Sequence, residues 1–551
     1  MTSSVRSICI HCSVGCGIIA HVRDGRSVSM EGDTRHPANR GALCEWVEQP
    51  DGAESLEGRL LFPEIQGKRV IWERATGQVA KRLGDIIARH GPLAVAFRMS
   101  DGLLTEDYYV ANKMMKGFVG SADIATGAKA ASFADSLVLG LGEDVVPATS
   151  DDFDRAGLIV VIGDSVGQNL PIVWQRIMAA REENNAKVVV IGTGESEGPS
   201  GIDLSLTIRP GMGEMLMTGL LAFSRRAGIV DRAFLHAHTA VPDGFWDALE
   251  EGHDLWSTAR ACDLAPAELQ AFYDLFAAHP RTVTLFDDPG LTAAIVNTHL
   301  ATGRIGKPGA GPFPVVTACN AMGAREVGAS PDMLAAHMDF TAEHIALTSR
   351  FWGAVNMVER AGVFAAKCVV GEGVKALWVV GDFLQPEDVE AVRAARKEGV
   401  FVVYSGSMAI EGLADVSLPS PGWGEQNGTV TGYDRMISRL RPLLPTPGEV
   451  RPAWWAMTLV ARAMGWRDAF YFNHPADVYR EHARLSAYCN EGARLFDIRR
   501  HAAISNPAYD EMTSWRWGGA PFTGGHFQTT DGKARLTLAR QNAFPDAAEI
   551  S

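Results

Sequence analysis

Four cysteines in the first 45 residues have a spacing typical of a metal centre. Cys9, Cys12 and Cys16 lie at two- and three-residue gaps, and Cys44 follows at a distance, so half of the chain's eight cysteines lie in this segment. Sets of four thiolates hold either zinc or an iron–sulfur cluster. Zinc sites usually pair two C-x2-C knuckles, whereas this pattern is a triplet with one distant cysteine. The pattern therefore favours a [4Fe-4S] cluster, with structural zinc and disulfides as the alternatives.

Composition and charge limit the classes of function. The net charge of −14 argues against a nucleic-acid partner, which requires a basic face. No apolar run approaches the ~20 residues of a membrane span, and Met1 to Arg6 lack the features of a signal peptide. We therefore expect a cytoplasmic protein. In that reducing compartment the remaining cysteines are expected to be free thiols: Cys262, Cys319, Cys368 and Cys489.

The length of 551 residues predicts several domains, and strands alternate with helices along most of the chain. Apolar strands ending in glycine are predicted at 158–163, 188–192 and 377–381, and a further apolar strand at 400–404. A helix at 171–184 separates the first two, and a helix at 386–397 separates the last two. This alternation predicts an α/β fold with doubly wound parallel sheets, which bind ligands at the carboxyl ends of their strands. Before these elements, a hairpin is predicted across Asp24 and Gly25. Thr105 is predicted to cap a helix that stops at Gly117.

The residues around the first cysteines resemble the cluster domain of molybdopterin oxidoreductases. The matching stretches are Cys9-Ile-His-Cys12-Ser-Val-Gly-Cys16-Gly and Gly41-Ala-Leu-Cys44. Three later stretches resemble the catalytic subunits of assimilatory nitrate reductases more narrowly. They begin at Leu103, at Asn297 and at Trp423, and the resemblance covers essentially the whole chain.

This resemblance implies a small N-terminal [4Fe-4S] domain followed by two doubly wound parallel-sheet domains. The domains expected are 1–57, 58–147 with 341–500, 148–340, and a tail segment 501–551. The resemblance also implies a molybdopterin guanine dinucleotide as cofactor, with the cluster passing electrons one at a time to its molybdenum. The glycine-rich run 303–328 is either part of the cofactor site or a set of tight turns. The residues expected to contact the cofactor are Gly163, Gly306, Gly309, Asn320, Gly323 and Arg325, and those expected to hold the cluster are Cys9, Cys12, Cys16 and Cys44.

The chain departs from the family pattern where the molybdenum ligand should lie. The position of the usual ligating cysteine is Ala130 or Ala131, and no cysteine occurs between Cys44 and Cys262. Ser132 and Asp135 are the nearest side chains that offer an oxygen ligand.

Further departures concern the cation and the nucleotide contacts. Trp46 stands where the family usually has a lysine two residues after its fourth cysteine. Asp164 replaces an expected asparagine, and Gly192 and Gly213 replace residues that grip the guanosine. Family members also continue past Arg535 into a barrel-like domain, whereas 16 residues follow Arg535 here, so that domain is expected to be absent.

These features favour an iron–sulfur electron-transfer or scaffold subunit with a degenerate molybdenum site, part of a hetero-complex with a redox partner protein. The first alternative is an active, nitrate reductase-like molybdenum enzyme with an atypical metal ligand. The second is a redox sensor in which oxidation of the cluster changes a binding affinity.

Overall fold

The computed structural model describes residues 2–23, 26–48, 55–126, 129–164, 166–194, 201–362, 370–382 and 385–537. The strands in chain order are β1 (Thr2–Ile8), β2 (Gly17–Arg23), β3 (Arg26–Gly32), β4 (Glu64–Ile65), β5 (Lys68–Arg69), β6 (Val95–Met99), β7 (Ile124–Ala125), β8 (Leu158–Ile162), β9 (Lys187–Gly192), β10 (Leu204–Thr207), β11 (Thr239–Ala240), β12 (Thr282–Phe286), β13 (Gly311–Pro314), β14 (Ala376–Val380), β15 (Phe401–Gly406), β16 (Val416–Pro419), β17 (Gly428–Thr431), β18 (Met436–Leu440), β19 (Trp515–Arg516) and β20 (Ala534–Arg535). The α-helices are α1 (Glu45–Glu48), α2 (Trp72–His90), α3 (Thr105–Asn112), α4 (Lys129–Leu141), α5 (Val166–Asn169), α6 (Pro171–Asn184), α7 (Gly213–Arg226), α8 (Arg232–His238), α9 (Phe245–Glu250), α10 (Leu255–Cys262), α11 (Pro266–Ala278), α12 (Thr292–Ala301), α13 (Ala321–Val327), α14 (Ala342–Trp352), α15 (Pro386–Lys397), α16 (Ala453–Ala463), α17 (Pro475–Ala487) and α18 (Asn506–Asp510).

The chain divides into two compact units. Unit 1 comprises residues 1–130, 318–491 and 496–517, and unit 2 comprises residues 131–317, 492–495 and 518–551. The domain boundaries expected from the sequence remain a prediction. The units change over at other residues, and residues 1–57 belong to unit 1.

Unit 1 is built on a seven-stranded sheet in the order β5-β4-β16-β15-β14-β6-β7. The strands from β16 to β7 run parallel, while β4 and β5 are antiparallel at one edge. The central strands β14 and β15 are buried along their whole length and mostly apolar, as expected when helices cover both faces. Two antiparallel three-stranded sheets, β1-β2-β3 and β17-β18-β19, complete this unit.

Unit 2 contains a five-stranded parallel sheet in the order β10-β9-β8-β12-β13. Its core packs strand residues such as Val160 and Ile191 against helix residues such as Leu220 and Phe272. The predicted α/β fold with parallel sheets is confirmed in both units. The turn at Asp24 and Gly25 lies outside the described residues, but β2 and β3 on either side pair antiparallel as predicted.

Helix α3 differs from the prediction at both ends. Its N-cap is Leu104, whose backbone N–H donates to the Asp107 carboxylate, and Thr105 is instead the first helical residue. Thr105 was wrong as a cap because its hydroxyl hydrogen-bonds the buried side chain of Asn320. Beyond Asn112 the helix does not stop at Gly117 but continues as a π-helix, Lys113–Val119.

Candidate functional site

A single loop between β1 and β2 carries three of the four N-terminal cysteines. The backbone N–H of Cys9 donates to the carbonyl of Cys16 at 2.9 Å, which closes the loop at its base. Gly15 turns the chain inside the loop with φ +62°, a conformation that favours glycine. Cys9 and Cys16 are buried, and Cys12 is partly buried. The loop therefore presents three thiols from eight consecutive residues.

The fourth cysteine arrives on a separate segment that Asn39 fixes in place. The buried Asn39 amide accepts from the N–H of Gly17 at 2.9 Å and donates to the carbonyl of Ala42 at 2.7 Å. Gly17 follows Cys16, and Ala42 precedes Cys44 by two residues. One side chain thus ties the segment of Cys44 to the end of the cysteine loop.

The electrostatics of the four thiols agree with a shared site. Burial, with a smaller contribution from the charge of Cys44, raises the pKa of Cys9 to about 11 and that of Cys12 to about 12. Burial raises the pKa of Cys16 well above its ordinary value, with added contributions from Cys12, Cys9 and Cys44. Mutual repulsion of this kind is relieved when the thiolates bind a cationic metal core. The donor set therefore fits an iron–sulfur cluster.

Within the described ranges, no three His, Cys, Asp or Glu side chains surround a point that one metal ion would occupy.

Of the remaining cysteines, Cys262, Cys319 and Cys489 are free, as predicted, and Cys368 lies outside the described residues. Cys319 is fully buried, and the charges of Cys12 and Cys9 raise its pKa after the larger effect of burial. A fifth thiol therefore lies near the cysteine loop.

A cavity of about 230 Å³ opens at the carboxyl ends of β6, β14, β15 and β16. Parallel sheets bind ligands at this edge. The cavity is bounded on one side by Ile10, which lies inside the cysteine loop. Its other walls are rich in small residues: Ser100, Gly102, Gly381, Ser405, Gly406, Ser407, Ser420 and Gly422. Gly381 is recognisable in the sequence as a strand end, but the cavity is not, because its walls come from the ends of four separate strands.

Three acidic residues line this cavity. Asp382 accepts hydrogen bonds from the Tyr404 hydroxyl at 2.8 Å and from the Ser407 N–H at 2.6 Å. Burial raises the pKa of Asp107 to about 7, although N–H donors from Trp454 and Leu104 oppose the shift. Asp101 is the third. Three carboxyl groups therefore lie at this edge of unit 1.

Three of the residues expected to contact the cofactor lie together at α13 of unit 1. Asn320 precedes the helix with φ +53°, and its amide donates to the Leu103 carbonyl at 2.7 Å and accepts from the Thr431 N–H at 2.7 Å. Gly323 leaves room for that amide, because a Cβ there would lie 2.1 Å from Asn320 Oδ1. Arg325 is buried on the same helix. The Asn320 side chain thus bonds to neighbouring protein groups.

The other three expected residues lie in unit 2. Gly163 follows β8 with φ +134°, and a Cβ there would lie 2.2 Å from Asp287 Oδ1. Gly306 and Gly309 lie between α12 and β13, where a Cβ would meet the carbonyl oxygens of Phe522 and Arg155 at 2.2 and 2.6 Å. Close approach of backbone explains the last two glycines. A role for these three in cofactor binding remains a prediction.

Asp164 occupies the carboxyl edge of the unit 2 sheet. Its carboxylate accepts from the Thr193 N–H at 2.8 Å, the Thr193 hydroxyl at 2.5 Å and the Gly194 N–H at 3.3 Å. Backbone N–H groups in such a turn are the usual donors to a phosphate. Here the protein's own carboxylate takes them, so this turn fits a dinucleotide poorly.

The residues at the expected metal-ligand position lie on α4, and the residue at the expected lysine position lies on α1. The backbone of Ala130, Ala131 and Ser132 lies in the first turn of α4, and their side chains lie outside the described part of the structure. Asp135 is exposed on the same helix. Trp46 lies on α1, two residues after Cys44, and its ring stacks on the ring of His11 with centroids 4.3 Å apart.

The fold and the cysteine site agree with comparisons against known proteins. The model of the molybdopterin oxidoreductase Fe4S4 domain matches residues 2–46, and the molybdopterin oxidoreductase model matches residues 59–463. The chain belongs to the molybdopterin oxidoreductase family, and its N-terminal segment is the family's Fe4S4 domain, which carries a [4Fe-4S] cluster.

Its relatives include two nitrate reductases. That of Klebsiella oxytoca is 38% identical over 94% of this chain and 61% of its own length. That of Shewanella frigidimarina is 34% identical over 98% of this chain and 62% of its own length. The chain therefore spans about three fifths of the length of these relatives.

More distant matches agree on the family and the fold. The F420-dependent formate dehydrogenase 1 subunit alpha of Methanococcus maripaludis is 24% identical over 88% of this chain and 73% of its own length. Among solved structures, acetylene hydratase from Pelobacter acetylenicus matches with a TM-score of 0.72 over 96% of this chain and 77% of its own, at 15% identity. That likeness concerns the fold alone. Among the described residues, no helix is both long and apolar enough to cross a bilayer.

Proposed function

We propose that this chain is an iron–sulfur electron-transfer or scaffold subunit of a redox complex, with a molybdenum site that has lost its protein ligand. The observation that carries the proposal is a contrast. The four thiols of the N-terminal segment lie within one another's electrostatic reach, whereas the expected position of the metal-ligating cysteine is alanine, either Ala130 or Ala131.

The thiol quartet is the proposed electron-transfer centre. Cys9, Cys12, Cys16 and Cys44 would hold the cluster, and one electron at a time would enter and leave it. The protein contributes a dry, fixed set of ligands. Asn39 fixes the segment of Cys44 relative to the loop, and the buried positions of Cys9 and Cys16 exclude water.

The nucleotide contacts support a degenerate cofactor site. The Asp164 carboxylate holds the N–H groups of Thr193 and Gly194, so a pyrophosphate approaching this turn meets negative charge. An N–H donor that already has a partner offers little to a ligand. The retained fold then serves as a scaffold rather than as a complete dinucleotide site.

A redox partner protein would complete the assembly. Among the relatives, three are named as alpha subunits of formate dehydrogenases, and a cluster without its own substrate site needs an electron donor and an electron acceptor. We propose the cytoplasm as its compartment, because the cysteines described outside the quartet are free thiols.

A redox titration tests the proposal. The anaerobic full-length chain is reduced stepwise with dithionite and followed by electron paramagnetic resonance. The proposal expects a cluster signal from one electron per chain and no molybdenum signal at any potential. A Mo(V) signal would contradict it.

A second function has its own support. The nitrate reductases of Klebsiella oxytoca and Shewanella frigidimarina share 38% and 34% identity with this chain. The cavity beside Ile10 offers about 230 Å³ at the edge where parallel sheets bind ligands. A nitrate reductase-like enzyme would use Ser132 or Asp135 as its metal ligand. Nitrate reduction with a viologen dye that is lost in Ser132→Ala or Asp135→Ala, but not in Asp123→Ala, would favour it.

A further inference from the structure

Cys44 is the one member of the thiol quartet that the chain must deliver from outside the cysteine loop. Two contacts hold its segment on opposite sides of it. Asn39 binds the carbonyl of Ala42, two residues before Cys44. Trp46, two residues after Cys44, stacks on His11. The contact before Cys44 is a part-buried hydrogen bond, and the contact after it is an aromatic stack on an exposed ring.

The stack joins the two segments that carry the thiols. The rings of His11 and Trp46 lie 4.3 Å apart between centroids, with planes inclined by 19°. Trp46 is 53% exposed, which is unusual for so large an apolar side chain. The Trp46 ring packs on the ring of His11 and not in the hydrophobic core. An exposed aromatic ring with one defined partner is placed to hold that partner.

The backbone of His11 is tied to the same site. Its N–H points at the sulfur of Cys9 at 3.4 Å. On the other segment, Trp46 begins α1 together with Glu45, and the N–H of Val47 donates to the carbonyl of Cys44 at 3.1 Å. The path from Cys9 through His11 and Trp46 to Cys44 is therefore continuous. Separation of the two rings would free the segment of Cys44 on its outer side.

We propose that His11 and Trp46 form an aromatic clasp that positions Cys44 against the other three thiolates and so controls how readily the cluster loses iron. This inference rests on the proposed function, because it requires the cluster to be held by these cysteines. Trp46 acts here through Cys44 and is a positioning residue. With the clasp open, Cys44 dissociates more often and exposes one corner of the cluster.

The test is the rate at which a ferrous chelator withdraws iron from the anaerobic full-length chain. We expect Trp46→Ala and His11→Ala each to raise this rate about 5-fold, the scale that loss of one aromatic pair permits. The double variant should be no faster than either single variant, because both changes open the same contact. Trp46→Phe should recover most of the wild-type rate, since a phenyl ring can still stack.

Trp256→Ala is the matched control, because Trp256 is 69% exposed on α10 of unit 2 and its loss should leave the rate unchanged. Circular dichroism checks that each variant is folded, and His11→Gln, which removes one ring of the stack and keeps more of the side-chain volume, replaces an alanine variant that is not. Unchanged rates, or additive effects in the double variant, would overturn the clasp. A wild-type chain without iron would instead overturn the proposed function, so the two failures are distinguishable.

Discussion

The carboxylate of Asp164 binds Thr193 twice, through the backbone N–H at 2.8 Å and through the hydroxyl at 2.5 Å. Asp164 follows β8, and Thr193 follows β9, its neighbour in the unit 2 sheet. Partial burial opposes ionisation, but the hydrogen bonds from Thr193 and Gly194 outweigh it and lower the pKa of Asp164. A charged carboxylate therefore lies at the edge where the resemblance to the family leads us to expect a nucleotide.

Removal of this charge should improve nucleotide binding. In Asp164→Asn the amide no longer repels phosphate and holds the turn less firmly. We expect GDP to bind the variant about 10-fold more tightly than the wild type, as one removed charge contact permits. Isothermal titration calorimetry measures this. Asp203→Asn is the control, because Asp203 pairs with Lys187 elsewhere on the same sheet. Equal affinities in all three proteins would show that Asp164 does not limit binding.

Replacement of Cys44 and replacement of Cys319, the buried thiol near the cysteine loop, should differ in their effect on iron content. Cys44→Ser should lose most of its iron, because an alcohol is a weaker cluster ligand than a thiolate. Cys319→Ala should keep wild-type iron, although Cys319 lies close enough to feel the charges of Cys12 and Cys9. Iron and acid-labile sulfide per chain measure both. Loss of iron in Cys319→Ala with full iron in Cys44→Ser would reverse the assignment.

The buried carboxyl of Glu326 should make stability depend on pH. Burial raises its pKa from 4.5 to about 7, against hydrogen bonds from Thr431 and Trp517. Between these values the folded chain keeps a proton that the unfolded chain has released, so the free energy of unfolding falls as pH rises from 4.5 to 7. Glu326→Gln should remove up to about 3 kcal/mol of this change.

Urea unfolding at a series of pH values measures the effect of Glu326. Glu387→Gln, at an exposed position on α15, provides the control and should keep the wild-type slope. If Glu326→Gln shows that same slope, the carboxyl of Glu326 does not titrate in this range.

Asn320 should stabilise unit 1 without any cofactor. Its amide donates a hydrogen bond to the Leu103 carbonyl and accepts one from the Thr431 N–H, and both groups are buried. In Asn320→Ala these groups lose their partner, and the free energy of unfolding should fall by about 3 kcal/mol. Asn473→Ala removes an exposed amide that donates to the Tyr471 carbonyl and should cost less than about 0.5 kcal/mol. Urea unfolding of the metal-free chain compares them. Equal stabilities would leave Asn320 free for a ligand role.

Local patterns predicted most of the regular elements. The helices at 171–184 and 386–397 have the predicted bounds, and the apolar strands shift by one or two residues. These elements were predictable because strand apolarity and the proline at each helix start act locally. The continuation of α3 as a π-helix was not, because it accompanies buried contacts such as that of Lys113 with Glu481, 368 residues away.

In the candidate site, too, the features set by local sequence were predictable and those set by distant contacts were not. The cysteine spacing predicted the thiol quartet because three thiols come from one loop. The stack of Trp46 on His11 depends on how two segments meet in space, and the sequence marked Trp46 only as a missing lysine. Likewise, Asn320 was expected to contact a cofactor, whereas its hydrogen bonds go to protein groups that the sequence could not pair with it.

The central claim is that the cluster is retained while the molybdenum site has lost its ligand, and metal content tests it most directly. The full-length chain is purified without oxygen, and iron and molybdenum are measured together by mass spectrometry. The account predicts about four iron atoms and no molybdenum per chain, as expected for one [4Fe-4S] cluster. Stoichiometric molybdenum with bound pterin would contradict it.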